Sequence, residues 1–82
     1  MAVYYLLTFK NTHSAINGEK FLKEKGITVV VMPTPTTITK SCGISLRIVP
    51  ESFPQVKQLI NDDSFEIEKI YLKSDIGYTL ID

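Results

Sequence analysis

The order in which strand and helix patterns alternate limits the fold of this chain more than any other sequence feature. Helix-like segments lie between the first and second strand-like segments and between the third and fourth. The strand-like segments cover residues 3–9, 27–32, 44–49 and 65–72. This order, βαββαβ, predicts an α+β fold. Its simplest closed arrangement is a ferredoxin-like sandwich, an antiparallel sheet with two helices on one face.

Both helix-like segments carry start or stop signals. Asn11 or Thr12 can cap the first helix, and Gly26 can end it. The second helix is predicted over 52–61, where Pro54 falls in the first turn and is therefore tolerated. Together, the inward positions of the strands and helices predict a core of Leu7, Leu22, Val29, Leu46, Ile48, Phe53, Val56 and Leu59.

The first strand is apolar on both faces, as is typical of a strand in the middle of a sheet. Tyr5 and Leu7 lie on one face, and Tyr4 and Leu6 lie on the other. Two helices on one side leave the second face without cover, and a partner chain would provide it. The sequence therefore predicts a homodimer.

The other strands carry irregularities. Pro33 and Pro35 are expected to end the second strand, because proline cannot donate a hydrogen bond to a sheet. Apolar residues change phase within 65–72, which predicts a bulge or a change of partner near Lys69. Residues 74–77 resemble a turn, after which a short edge strand can return.

Composition narrows the class of protein. The 82 residues suit one domain, 1–82. Nine Lys and Arg balance nine Asp and Glu, and most aromatic residues fall at predicted core positions, so we expect no nucleic-acid partner. No apolar run is long enough to span a bilayer, and the start has no signal-peptide pattern, so we expect no membrane partner. A single cysteine allows no internal disulfide and favours a cytoplasmic location.

Cys42 has the most distinctive chemistry in the chain. A lone cysteine is often a small buried apolar residue. Cys42, however, follows a polar loop and lies outside the periodic core pattern. Gly43 lets backbone N–H groups approach the sulfur, and Lys40 would favour the thiolate. The surroundings therefore predict a reactive, at least partly accessible thiol, although the tripeptide of Ser41, Cys42 and Gly43 is common by itself.

Two features near this thiol have more than one interpretation. The loop that begins with Pro33 and Pro35 is rich in threonine, and it is either an ordered rim around the thiol or an ordinary solvated loop. His13 lies in the first turn of the first helix. It is either an exposed or capping residue, or a base or hydrogen-bond partner near Cys42 if the two share an edge of the sheet.

Several other classes of site lack the residues they need. One cysteine and one histidine supply too few ligands for a structural zinc site, so no metal is expected. The four glycines are too dispersed for a phosphate-binding loop, and we expect no cofactor. A Cys/His hydrolase would need a third orienting group and an oxyanion hole, and neither can be assigned. The residues therefore argue against a self-sufficient enzyme.

Several motifs, in this order, resemble a family of small bacterial proteins known as selenium/sulfur carrier protein-like, formerly a domain of unknown function. The resemblance covers about the first fifty residues well, and beyond them only the layout of helix then strand matches. The motifs are YYLLTF at 4–9, THSA at 12–15, EK at 19–20 with LK at 22–23 and GI at 26–27, MPTP at 32–35 and SCGISL at 41–46.

The resemblance implies a carrier role. The family's cysteine corresponds to Cys42, the following glycine to Gly43, and the loop motif to Pro33 and Pro35. A carrier would hold sulfur or selenium on Cys42 as a persulfide or selenosulfide, taken from a donor protein and passed to an acceptor protein. The alternative is a non-catalytic ferredoxin-like binding or dimerisation module, which would not need an exposed Cys42.

Overall fold

The computed structural model describes residues 3–35, 43–62 and 66–81. Its strands are β1 (Tyr4–Thr8), β2 (Val29–Pro33), β3 (Ile44–Ile48), β4 (Lys69–Ser74) and β5 (Gly77–Leu80). Its helices are α1 (Thr12–Glu24) and α2 (Phe53–Asn61), and a 3-10 turn at Pro50–Ser52 leads into α2. The predicted order of elements is confirmed, and so is the return strand. None of the described helices is long and apolar enough to cross a membrane.

The strands form one antiparallel sheet with β1 at its centre. The strand order is β2-β3-β1-β4-β5, and every neighbouring pair is antiparallel. Leu7 of β1 lies opposite Leu46 of β3 on one side and Ile70 of β4 on the other. The fold is therefore α+β, with a five-stranded antiparallel sheet and two helices.

Both helices contribute to one hydrophobic cluster against the sheet. Leu22 of α1 and Val56 of α2 belong to the same cluster as Leu7 and Leu46, and all four side chains are fully buried. We call this side of the sheet the helix face. Of the predicted core, Phe53 and Leu59 are only partly buried and pack at its margin. Phe9, Ala15, Ile27 and Ile70 complete the buried cluster.

Gly18 sets how closely α1 approaches the sheet. A Cβ atom built on Gly18 would lie 2.9 Å from Cε2 of Phe9, a ring that is fully buried. Glycine is otherwise unfavourable inside a helix by roughly 1 kcal/mol relative to alanine. The close approach of helix and ring therefore explains why a glycine stands at this position.

The predicted ends of α1 agree with the structure. The side chain of Asn11 accepts a hydrogen bond from the N–H of Ser14 at 2.8 Å, so Asn11 is the N-cap. The chain leaves the helix through Lys25 and then Gly26, whose φ of 79° is the left-handed conformation that glycine adopts without strain.

Two predicted strand boundaries were wrong. The second strand begins at Val29 rather than at residue 27, whereas Pro33 ends it as predicted, as its last residue opposite Ile44. An edge strand permits a proline there because the missing N–H removes no bond to a second neighbour. The fourth strand begins at Lys69 rather than at residue 65. Just before it, the N–H of Glu68 donates to the carbonyl of Thr8, while the N–H of Lys69 donates to the Thr8 hydroxyl. This uneven pairing accompanies the predicted phase change near Lys69.

Candidate functional site

The predicted thiol site belongs to the end of the sheet at which β1 finishes and β3 begins. Because β1 and β3 are antiparallel, the last residues of β1 lie beside the first residues of β3. The N–H of Thr34 donates to the carbonyl of Gly43 at 3.1 Å, so the two ends of the intervening loop are held together. Cys42, Ser41 and Lys40 lie outside the described residues. Cys42 is nevertheless joined covalently to Gly43, whose position is defined.

The other predicted site residues are placed at this same end of the sheet. Pro33, the last residue of β2, is exposed, and Pro35, two residues later, is half-buried. His13 is exposed in the first turn of α1, which follows β1 closely in the chain. The fold thus brings the start of α1 and Gly43 to one end of the sheet, as the second interpretation of His13 requires. A contact between His13 and Cys42 remains a prediction.

Gly43 has no evident structural requirement to be glycine. It is exposed, and a Cβ built on it would meet none of the described residues within 4 Å. Gly18 and Gly26, by contrast, are each explained by packing or by backbone conformation. An unexplained glycine beside the cysteine agrees with the hypothesis that Gly43 serves the neighbouring thiol.

Buried hydroxyl groups hold the strand ends that carry this site, and the sequence did not reveal them. Thr34 and Ser45 are buried and hydrogen-bonded to each other across β2 and β3. The fully buried Thr8 accepts from the N–H of Lys69 at 3.1 Å. Thr34 belonged to a polar loop and Ser45 to the polar phase of a strand, so their pairing needed the strand register. Buried hydroxyls with partners fix the geometry at this end.

The opposite face of the sheet is the second unusual region. It carries the strand residues that alternate with those of the helix face, and we call it the tyrosine face. Its residues are Tyr4, Leu6, Thr8, Val30, Met32, Ser45, Arg47, Lys69, Tyr71, Lys73, Tyr78 and Leu80. Three of the four tyrosines therefore lie there, although most of the described aromatic residues, namely Tyr5, Phe9, Phe21 and Phe53, belong to the core cluster or pack against it as expected. Only Tyr5 is on the helix face, where it stacks on Phe53 at 3.9 Å.

Cations and tyrosine rings are interleaved on the tyrosine face. The Arg47 guanidinium lies 5.2 Å from the centre of the Tyr4 ring, and the Lys73 ammonium lies 5.4 Å from that of Tyr78. The hydroxyls of Tyr4 and Tyr78 are 3.3 Å apart. Burial, the hydrogen bond to Tyr4 and the charge of Tyr4 together raise the pKa of Tyr78 to about 12. Both tyrosines are half-buried, so part of each ring faces solvent.

Leu6 lies at the centre of this face and is fully buried. Its direct neighbours across the sheet are Arg47 and Tyr71, whose long side chains can cover it. The argument that Leu6 needs a partner chain for cover therefore does not hold. The homodimer remains a prediction without that support.

Comparison with known proteins gives one match. The family model described as "Putative Se/S carrier protein-like" matches residues 4–72. No curated protein and no solved structure matches. The family match runs from the start of β1 into β4 and includes the loop with Cys42 and Gly43. Since it spans most of the 82 residues, the chain belongs to the Se/S carrier protein-like family.

Proposed function

We propose that this protein carries sulfur or selenium on Cys42 between a donor protein and an acceptor protein. The observation that carries the proposal is the family match, which spans Cys42 and the loop around it. The strand order β2-β3-β1-β4, with β5 added beside β4, supports the ferredoxin-like arrangement. A cytoplasmic setting suits the proposal, because a lone carrier thiol must stay reduced between transfers.

The transfer itself is thiol exchange and needs no outside oxidant. The Cys42 thiolate attacks the outer sulfur of a persulfide on the donor, so the bond from Cys42 to that sulfur forms. The sulfur–sulfur bond of the donor breaks, and the donor cysteine leaves as a thiolate. An acceptor thiolate then attacks the same outer sulfur and releases Cys42. Selenium would follow the same path as a selenosulfide.

The described residues support an accessible position for this chemistry. Gly43 is exposed, and Thr34 and Gly43, which are hydrogen-bonded to each other on either side of the Cys42 segment, lie at the end of the sheet rather than in its middle. Exposed His13 lies in the first turn of α1 at that same end. Partner proteins supply the remaining catalytic groups, so the small domain needs little more than one thiol attached to an ordered sheet.

Intact mass after incubation with a persulfide donor tests the proposal. We expect the wild-type chain to gain the mass of one sulfur atom, and an added acceptor thiol to remove it. Because the chain has one cysteine, Cys42→Ser is a complete control and should gain nothing. A wild-type chain that stays at its original mass, while a small-molecule thiol in the same mixture is converted, would contradict the carrier function.

The tyrosine face favours a second function, that of a binding module. Such a module keeps its partner when Cys42 is replaced, whereas a carrier loses its transfer activity. A single Cys42→Ser variant, measured for both binding and sulfur transfer, separates the two functions.

A further inference from the structure

The sheet separates charge in a way that the composition conceals. The whole chain has nine cationic and nine acidic residues. None of the residues in the five described strands is Asp or Glu. The charged strand residues are Arg47, Lys69 and Lys73, and all of them lie on the tyrosine face. A neutral chain thus has one distinctly positive sheet surface.

Two of the three positive charges on this surface, those of Arg47 and Lys73, lie over tyrosine rings. Tyr4, Lys73 and Tyr78 stand in one row across β1, β4 and β5. Arg47 and Tyr71 stand in the next row, on either side of Leu6. Each of the two described ring–cation pairs on this face therefore combines a partly exposed aromatic ring with a positive charge that lies over it.

We propose that the tyrosine face binds single-stranded nucleic acid. A single strand alternates flat bases with phosphate groups, which matches the alternation of tyrosine rings and cations on this face. Bases would stack on the rings of Tyr4, Tyr71 and Tyr78, while phosphates would lie near Arg47 and Lys73. This inference goes beyond the carrier proposal and does not depend on Cys42.

Other occupants fit this surface less well. A second copy of the chain, packed face to face, would bring Arg47, Lys69 and Lys73 against the same three charges. An acidic polypeptide would neutralise the cations, but it would offer the tyrosine rings no flat partner. Paired bases in a duplex would be stacked inside the helix and unable to reach the rings.

Fluorescence anisotropy with a labelled oligouridylate and the full chain measures the binding. Neutralising the two phosphates near Arg47 and Lys73 gives a log–log slope of affinity against salt of about −1.4 on a single strand. An oligothymidylate of the same length shows whether the ribose hydroxyl contributes. Binding of either single strand, with that salt dependence, supports the proposal.

Ring variants separate stacking from folding. Tyr71→Leu removes a ring and should weaken binding by roughly five- to a hundredfold, whereas Tyr71→Phe retains the ring and should bind nearly as well as wild type. Arg47→Gln removes one phosphate contact and should make the salt dependence shallower, reducing the magnitude of the slope by about 0.7. Lys20→Gln removes an exposed cation from α1 and should leave both affinity and slope unchanged. Circular dichroism of each variant checks that the fold is intact.

Three results would overturn the proposal. These are no binding of either oligonucleotide at low salt, equal losses for Tyr71→Phe and Tyr71→Leu in folded protein, and tighter binding of poly-glutamate than of oligouridylate. The last result would assign the face to an acidic protein. Cys42→Ser should bind the oligonucleotide as wild type does, so failure of this inference leaves the sulfur-transfer assay unaffected.

Discussion

The two faces of the sheet are formed by the same strands, but they bury their leucine side chains among different kinds of neighbour. Leu7 and Leu46 on the helix face are buried by apolar side chains from both helices. Leu6, one residue from Leu7, is buried just as completely, but its cross-strand neighbours are Arg47 and Tyr71. Zero exposure therefore describes two different environments. One is a close-packed core, and the other is a leucine whose cross-strand neighbours are two long polar side chains.

The largest effect should come from truncating a leucine on each face. Leu46→Ala removes a fully buried side chain from the close-packed cluster and should lower the free energy of unfolding by about 2–5 kcal/mol. Leu6→Ala removes an equally buried side chain, but we expect a smaller loss because Arg47 and Tyr71 can settle into the space. Urea unfolding of both variants makes the comparison. Equal losses would show that the tyrosine face is packed as rigidly as the helix face.

A smaller loss is expected where α1 meets the helix face. Gly18→Ala places a Cβ 2.9 Å from the buried ring of Phe9, and overpacking of this kind typically costs about 1–3 kcal/mol. Alanine is more favourable than glycine inside a helix by roughly 1 kcal/mol, which offsets part of this destabilisation. We therefore expect a modest net fall in the melting temperature.

The double variant Gly18→Ala with Phe9→Leu identifies the cause of that fall. A smaller side chain at position 9 should make Gly18→Ala neutral or stabilising, because the clash is gone. If Gly18→Ala alone already raises the melting temperature, α1 approaches the sheet less closely than the structure indicates.

Alkaline pH should weaken the tyrosine face before the helix face. The pKa of Tyr78 is raised from 10.0 to about 12, first by burial and then by its hydrogen bond to Tyr4 and the charge of Tyr4. The unfolded chain therefore loses this proton at lower pH than the folded chain does. The contribution is fully present below pH 10 and is lost as the pH rises through 12.

Unfolding midpoints in urea across this alkaline range measure the effect. Tyr78→Phe has no proton to lose and should show a shallower decline than wild type. Identical pH profiles for wild type and Tyr78→Phe would mean that another group causes the decline.

The smallest effects are expected at the thiol end, which belongs to neither face. The alkylation rate of Cys42 should increase with pH, and the pH at the midpoint of this increase should lie below the ordinary thiol pKa of about 8.5. The reason is that Lys40 and backbone N–H groups favour the thiolate. Lys40→Gln should raise the midpoint only slightly, since solvent and salt screen an exposed charge. A larger change in His13→Ala would indicate a Cys–His pair.

An alkylation midpoint clearly above the ordinary thiol pKa of about 8.5, or no alkylation without denaturant, would place Cys42 in an apolar environment. The carrier function would then fail. Gly43→Ala is a useful companion, because an added Cβ meets none of the described residues within 4 Å and should leave stability nearly unchanged. A changed alkylation rate in that variant would assign Gly43 to the thiol.

The sequence by itself determined the order of the elements, the caps of α1 and six of the eight predicted core residues. These depend on local periodicity and on the conformations of Asn11 and Gly26, which neighbouring residues decide. The family was also recognisable from short motifs. Cys42 could be singled out because it is the only cysteine.

Only the tertiary structure decided which residues meet across the sheet. The pairing of Thr34 with Ser45, the contact of Gly18 with Phe9 and the burial of Leu6 all join residues from different elements. A one-residue change of register exchanges the two faces of a strand, so periodicity alone cannot assign a side chain's neighbours. The positive tyrosine face depends on the register for the same reason. The antiparallel register places the charged strand residues on one face, whereas the composition shows only that positive and negative charges are equal in number.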